Sequence, residues 1–181
     1  MDKYRKLKPE DAQRLKAWWA TLDEHRGDRA QLRRASQPDD ILMTPAFSQF
    51  LQSMPGYWGV APGRQGISIS DAAFVAAVLA RVKKTEEKNS FARTMALPKE
   101  PGGKAVMSEL RFQQLQKSRS PEEFFTRICR ALALAEGKAN IASLADDCLH
   151  WLYEFRYGPA SKPLDRLMVR WASDYYHTFK D

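Results

Sequence analysis

The chain is poor in the residues most site chemistry needs: 2 cysteines and 3 histidines in 181 positions. Cys129 and Cys148 fall on apolar helical faces. They read as reduced core residues of a cytosolic protein, which excludes a disulfide scaffold. Zinc sites want closely spaced ligand pairs, whereas Cys148 and His150 stand two apart on a helix and face different ways. No metal and no cofactor are expected. His25, His150 and His177 lie outside any serine or cysteine nucleophile motif, and the glycines between 56 and 66 lack the Gly-Lys-Ser/Thr ending of a phosphate loop. No apolar run reaches the roughly 18 residues of a membrane span. The opening Met1-Asp2-Lys3-Tyr4-Arg5-Lys6 is charged and followed by no apolar stretch, so no secretory signal is read there. No internal repeat or low-complexity segment is visible. The expectation is a cytoplasmic protein that is not an enzyme and has no membrane partner.

What is present is positive charge and helical periodicity. Lys plus Arg number 29 against 22 Asp plus Glu, leaving +7 and a pI near 9.5. That balance points to a polyanionic partner and carries no information on fold. At 44% hydrophobic and 28% charged, the chain can bury a core as one large domain or two small lobes.

Pro9 opens a helix, with Glu10 and Asp11 in the first turn where negative charge suits the dipole. Leu15, Trp18, Trp19 and Leu22 form its apolar face, and Gly27 breaks it. Asp28 caps a short helix through Arg34, stopped by Pro38, and Thr44-Pro45 starts another. Residues 53–69 read as a loop, and Ser70-Asp71 caps a helix from Ala72 to Val82 that is buried nearly all round. Ser108 and Ser120-Pro121-Glu122-Glu123 start two more helices, Gly137 ends the second, and Asn140 caps the next. A last helix from about Pro163 buries Leu164, Leu167, Met168, Trp171 and Tyr175, and Phe155 is buried in the helix before it. No stretch alternates long enough to argue a strand. The fold class is all-α, about eight or nine helices in two bundled lobes. Lobes 1–97 and 105–181 are joined by a linker at 98–104, where Pro98, Pro101, Gly102 and Gly103 cluster.

The second lobe carries many cations: Lys104, Arg111, Lys117, Arg119, Arg127, Arg130, Lys162, Arg166 and Arg170. Arg111 is read on the face opposite Leu115, and Lys162, Arg166 and Arg170 as a stripe on the last helix. Each alone reads as a solvated residue, but together they suit sequence-independent phosphate contact. Asp146-Asp147 reads as a solvated face, or in a rival reading as the metal-holding pair of a nuclease, without a supporting third acid. Tyr57 and Trp58 either stack on a base or plug a lobe interface. A further rival is a protein–protein scaffold whose basic surface pairs with acidic subunits.

Three segments carry a family resemblance. Trp18-Trp19-Ala20-Thr21-Leu22 comes first, then Arg29-Ala30-Gln31-Leu32-Arg33-Arg34-Ala35-Ser36-Gln37-Pro38-Asp39, then Pro45-Ala46-Phe47. In that order they resemble the CasB family, the small subunit of the type I-E CRISPR surveillance complex called Cascade. Asn89 to Ala96 is similar to the family's Ser-x-x-Arg-x-x-Ala segment. Residues 108–115, closed by Lys117, are similar to its next helix, and 128–136 to the one after, with Arg130 at a basic position. The loop at 55–69 and the tail after Phe155 align poorly.

The resemblance implies a small all-helical protein without enzymatic activity. Two copies stack along the belly of Cascade, beside the backbone subunits that hold the guide RNA, and contact the large subunit at one end. It implies a basic surface that steadies CRISPR RNA and target DNA by backbone contacts. Arg34, Arg93, Arg111, Lys117 and Arg130 would line it. Arg33 is a further member or an ion-pair partner, and Lys162 and Arg166 are placed on the same surface.

Overall fold

Leu15, Trp18 and Leu22 are all buried along the first helix, α1 (Pro9–Thr21), in the computed structural model, which describes residues 4 and 6–177. The chain divides into two compact units, one of residues 7–81 and one of residues 82–181 together with 1–6.

In the first unit, α1 starts where Pro9 needs no N–H partner, and the Lys8 N–H donates to Asp11 Oδ2 at 2.9 Å. The second helix, α2 (Arg26–Arg33), takes in Gly27, and Asp28 sits in its first turn without capping it. Nothing lies within 4 Å of where a Gly27 Cβ would stand, so the position tolerates helix without needing to break it. A 3₁₀ turn at Pro38–Ile41 follows, held by Asp40 Oδ2 accepting from the Ser36 and Gln37 N–H groups at 2.9 and 3.0 Å. Thr44 Oγ1 accepts from the Phe47 N–H at 3.2 Å and caps α3 (Pro45–Ser53).

The stretch expected as loop holds a parallel strand pair, β1 (Trp58–Val60) and β2 (Ile67–Ser68). The all-α reading holds for most of the chain and is amended here only by short strands, which carry no visible alternation. Gly66, at φ 137°, makes the pairing possible: the next N–H, of Ile67, donates to the Tyr57 carbonyl at 2.8 Å, and a Cβ on Gly66 would stand 2.4 Å from that oxygen. Ser68, two residues earlier than expected, caps α4 (Ile69–Leu79), whose residues Ala72 to Leu79 are all buried. Phe50 centres the aromatic core of this unit, 4.6 Å from Trp18, 5.9 Å from Trp58 and 6.1 Å from Phe47, ring centre to ring centre.

The second unit contains α5 (Phe91–Ala96), α6 (Glu109–Gln116), α7 (Pro121–Leu134), α8 (Ile141–Tyr157) and α9 (Leu167–Tyr176). Four of these begin alike. Side-chain oxygens of Ser90, Ser108, Ser120 and Asn140 accept from the N–H three residues on, at 3.2, 3.4, 3.1 and 3.0 Å. Trp171 is 1% exposed and lies among Phe91, Phe112 and Phe124 at 5.8, 5.7 and 6.3 Å. A second parallel pair, β3 (Lys84–Thr85) with β4 (Lys138–Ala139), departs from the helical expectation in the same way as the first.

The 98–104 segment lies inside this unit, and the division between units falls between Arg81 and Val82. Its prolines and glycines turn the chain back on itself: Pro98 and Ala105 form an antiparallel bridge, and the Val106 N–H donates to the Leu97 carbonyl at 3.0 Å. Phe155, Leu164 and Met168, expected in the core, are 48%, 68% and 45% exposed. Pro163 starts only a 3₁₀ turn, Arg166 is extended, and α9 begins at Leu167, so the buried register starts later than the pattern suggested. Phe155 ends the buried stripe of α8, resting one ring face on Trp151 at 5.3 Å. Among the described residues no helix is long and apolar enough to cross a membrane.

Past the end of α7, Glu136 turns left-handed at φ 55° and Gly137 follows at φ 79°, its carbonyl accepting from the N–H groups of Lys83 and Lys84 at 2.8 and 3.1 Å. An added Cβ would stand 3.0 Å from the Lys83 nitrogen. Gly137→Ala is therefore expected to cost about 2 kcal/mol, read as a lower urea midpoint at unchanged slope.

Candidate nucleic-acid interface

The structure sorts the predicted cations by what their side chains do. In the first unit Arg33 ends α2, Arg34 follows it, and both are exposed. Arg33 forms no ion pair among the described residues, which leaves it as a surface cation. The turn that carries them is held from beneath. Arg81 Nη2 donates to the carbonyls of Arg33 and Ala35 at 3.0 and 2.7 Å, and Arg81 Nη1 donates to that of Ala77 at 2.6 Å.

In the second unit Arg111, Lys117 and Arg130 are exposed on or just after α6 and α7, and Arg93 is half-buried on α5. None of the four forms an ion pair among the described residues. Arg111 does not oppose Leu115. It lies one turn before it, so it flanks the buried stripe of Phe112 and Leu115. Lys104 and Arg119 are exposed too.

The stripe expected along the last helix does not form, because Lys162 and Arg166 precede α9. Lys162 is exposed, whereas Arg166 donates from Nε to Ala160 O at 2.7 Å and from Nη2 to Ser161 O at 3.2 Å. Arg127 pairs with Glu123 at 2.7 Å and also reaches the Gln114 carbonyl, tying α7 to α6. Arg170 pairs with Asp147 at 3.0 Å and lies 3.8 Å from Asp146.

Asp146 and Asp147 are thus no solvated face. Asp147 is 4% exposed and Asp146 half-buried, and Asp146 Oδ1 accepts from the Tyr4 hydroxyl at 2.9 Å. The Tyr4 ring stacks on His150 at 4.2 Å, and His150 Nε2 stands 3.1 Å from Glu154 Oε1. Burial pushes the Tyr4 phenol well above its ordinary range, Asp146 adding to the shift. No group of three or more His, Cys, Asp or Glu placed to hold a metal ion occurs among the described residues.

Burial also pushes the Asp147 carboxyl up to about 7, with Asp146 and Asp174 adding, while the Trp171 indole and the Arg170 guanidinium pull it down. A carboxyl raised in the folded state holds a proton there that the unfolded chain releases. Stability therefore falls as pH rises from about 4 to about 7. One proton contributes at most about 1.4 kcal/mol per pH unit. Asp147→Asn is expected to flatten that part of the profile. Urea midpoints across the window, variant minus parent, check it.

Trp58 is committed to the core of the first unit, and Tyr57 is half-buried. The Tyr57 hydroxyl and the Trp58 indole both donate to Asp11 Oδ1, at 2.6 and 3.0 Å, and Trp58 is 4% exposed. Burial, then Asp11, pushes the Tyr57 phenol up to about 12. Sequence reasoning placed neither Asp11, Arg81 nor Tyr4 in these roles. Only Arg81 left a signal, as a basic residue just after a helix that is apolar from Ala72 to Leu79, where it complements the dipole.

The family model described as CRISPR-associated protein Cse2 matches residues 28–176. The crystal structure of CasB from Thermus thermophilus is similar with a TM-score of 0.62 at 24% identity, over 94% of this chain and 99% of that one, and shows a shared fold. No curated protein is matched. With most of its length under one family model, the chain belongs to the CRISPR-associated protein Cse2 family.

Proposed function

We propose that the chain is a non-catalytic small subunit of Cascade, and that it holds nucleic-acid backbone through exposed cations without reading bases. Family membership supports a place within a CRISPR Cascade complex. The observation that carries the binding is the state of the cations. Arg33, Arg34, Arg111, Lys117, Arg130 and Lys162 are exposed and form no ion pair among the described residues. An unpaired surface cation gives up little when it meets a phosphate, and each contact releases counterions.

Arg93 belongs to the same set, half-buried on α5. Arg166 is half-buried, and two of its five N–H donors are engaged by the carbonyls of Ala160 and Ser161, which leaves three for a phosphate. Backbone contact of this kind is enough to matter, because exchanging a DNA duplex for an RNA–DNA heteroduplex is nearly balanced. CRISPR RNA, the target strands and the displaced strand all offer that backbone. The backbone and large subunits of Cascade and a second copy of the chain are the protein partners in this reading.

A scaffold reading has one observation in its favour. Leu110, Leu164 and Phe155 in the second unit are 65%, 68% and 48% exposed, apolar surface that a protein partner could cover. Assembly that is salt-sensitive, in a chain that binds no free nucleic acid, would favour the scaffold. Binding of unrelated duplexes by the isolated chain, lost as salt rises, would favour the backbone-holding role.

A further inference from the structure

We propose that Arg81 is a positioning residue for the first unit's basic turn: it fixes the direction in which Arg33 and Arg34 present their guanidinium groups. The inference rests on reading those two arginines as phosphate contacts.

Arg81 follows α4, which is buried from Ala72 to Leu79, and the buried Ala80, and its own N–H donates to the Val78 carbonyl at 3.0 Å. Its backbone is thereby held to the unit's core. Its side chain spans two helix ends: Ala77 O in the last turn of α4, and Arg33 O and Ala35 O at the end of α2. Carbonyls at a helix C-terminus have no intrahelical donor, and a guanidinium there both satisfies them and opposes the negative end of the dipole.

The two carbonyls bracket Arg34. One nitrogen, Nη2, holds the peptide unit that enters Arg34, at 3.0 Å, and the one that leaves Ala35, at 2.7 Å. Leu32 and Ala35, 0% and 6% exposed, already anchor the turn to the core, so the chain has a foothold there without Arg81. What the clamp adds is direction. With the backbone fixed, Arg33 and Arg34 lose less freedom on meeting a polyanion. A lysine cannot reproduce this, since one ammonium lacks the planar fork that serves three carbonyls at once.

The test uses the full chain, two unrelated labelled DNA duplexes as probes and urea unfolding of every variant. The variants are Arg81→Gln, Arg81→Lys, the pair Arg33→Ala with Arg34→Ala, and Arg81→Gln combined with that pair. Arg81→Gln is expected to weaken binding of both duplexes about threefold to tenfold. Added to the Arg33/Arg34 pair it weakens binding no further, although its stability loss is the same in both backgrounds. Arg81→Lys keeps the charge and is expected to show the same direction of loss, and it carries the test if Arg81→Gln does not fold. An Arg81 effect of equal size with and without Arg33 and Arg34 would overturn the inference. So would parental affinity in both Arg81 variants while the Arg33/Arg34 pair binds weakly, and in either case the interface reading stands. Parental affinity in the Arg33/Arg34 pair itself would overturn both.

Discussion

Replacing Arg111 and Lys117 together by glutamate is expected to weaken binding of unrelated duplexes by the same factor, about tenfold or more, and to flatten the dependence of log affinity on log salt. Both side chains are exposed and form no ion pair among the described residues, so their loss leaves no buried carboxylate behind. If each meets one phosphate, the slope falls by about 0.9 per contact. Anisotropy titrations of two sequences at several salt concentrations check both parts. A loss confined to one sequence would point to base readout and count against the reading. Folding should be untouched, since the Ser108 cap of α6 uses the Arg111 backbone N–H, which the substitution keeps.

The largest stability effect is expected at Asp11. This carboxylate, 2% exposed, accepts from the Lys8 N–H, the Tyr57 hydroxyl and the Trp58 indole. It joins the start of α1 to the loop that leads into β1, 46 and 47 residues away. Asp11→Ala removes the acceptor and strands the buried Trp58 N–H. Hydrogen bonds to a charged group contribute about 1.5–3 kcal/mol, and an orphaned buried donor costs about 1–3 kcal/mol. The expected loss is about 3 kcal/mol, measured by urea unfolding. A loss under about 0.5 kcal/mol, the size of an ordinary surface change, would show that Tyr57 and Trp58 find other partners.

These two sites differ in how far the sequence revealed them. Ser108, Ser120, Asn140 and Pro9 mark helix starts that the structure keeps, because a cap is a bond between residues three apart and lies inside the local pattern. The strand pairs escaped because two- and three-residue strands have no period to read, and their partners follow from how the chain returns: Lys84 meets Lys138, and Trp58 meets Ile67. The start of α9 was misplaced because Pro163 opens a 3₁₀ turn as readily as a helix, which turned Leu164 and Met168 outward.

At the candidate interface, the exposure of Arg111, Lys117 and Arg130 agrees with their helical positions. Arg170 looked like one of them and is not, because its carboxylate partners come from α8, 23 residues upstream for Asp147. The fate of a charged side chain depends on which distant group it meets, and no local pattern carries that. The same holds for Asp11, which reads as a first-turn acid and serves as the anchor of a loop.

The most direct test of the proposed role is a salt titration of the purified chain against unrelated single- and double-stranded DNA and RNA. Backbone holding predicts binding at low salt with similar affinity across sequences, and log affinity falling linearly with log salt. No binding at low salt, together with salt-sensitive association with an acidic protein subunit, would contradict it and move the function to a protein–protein scaffold.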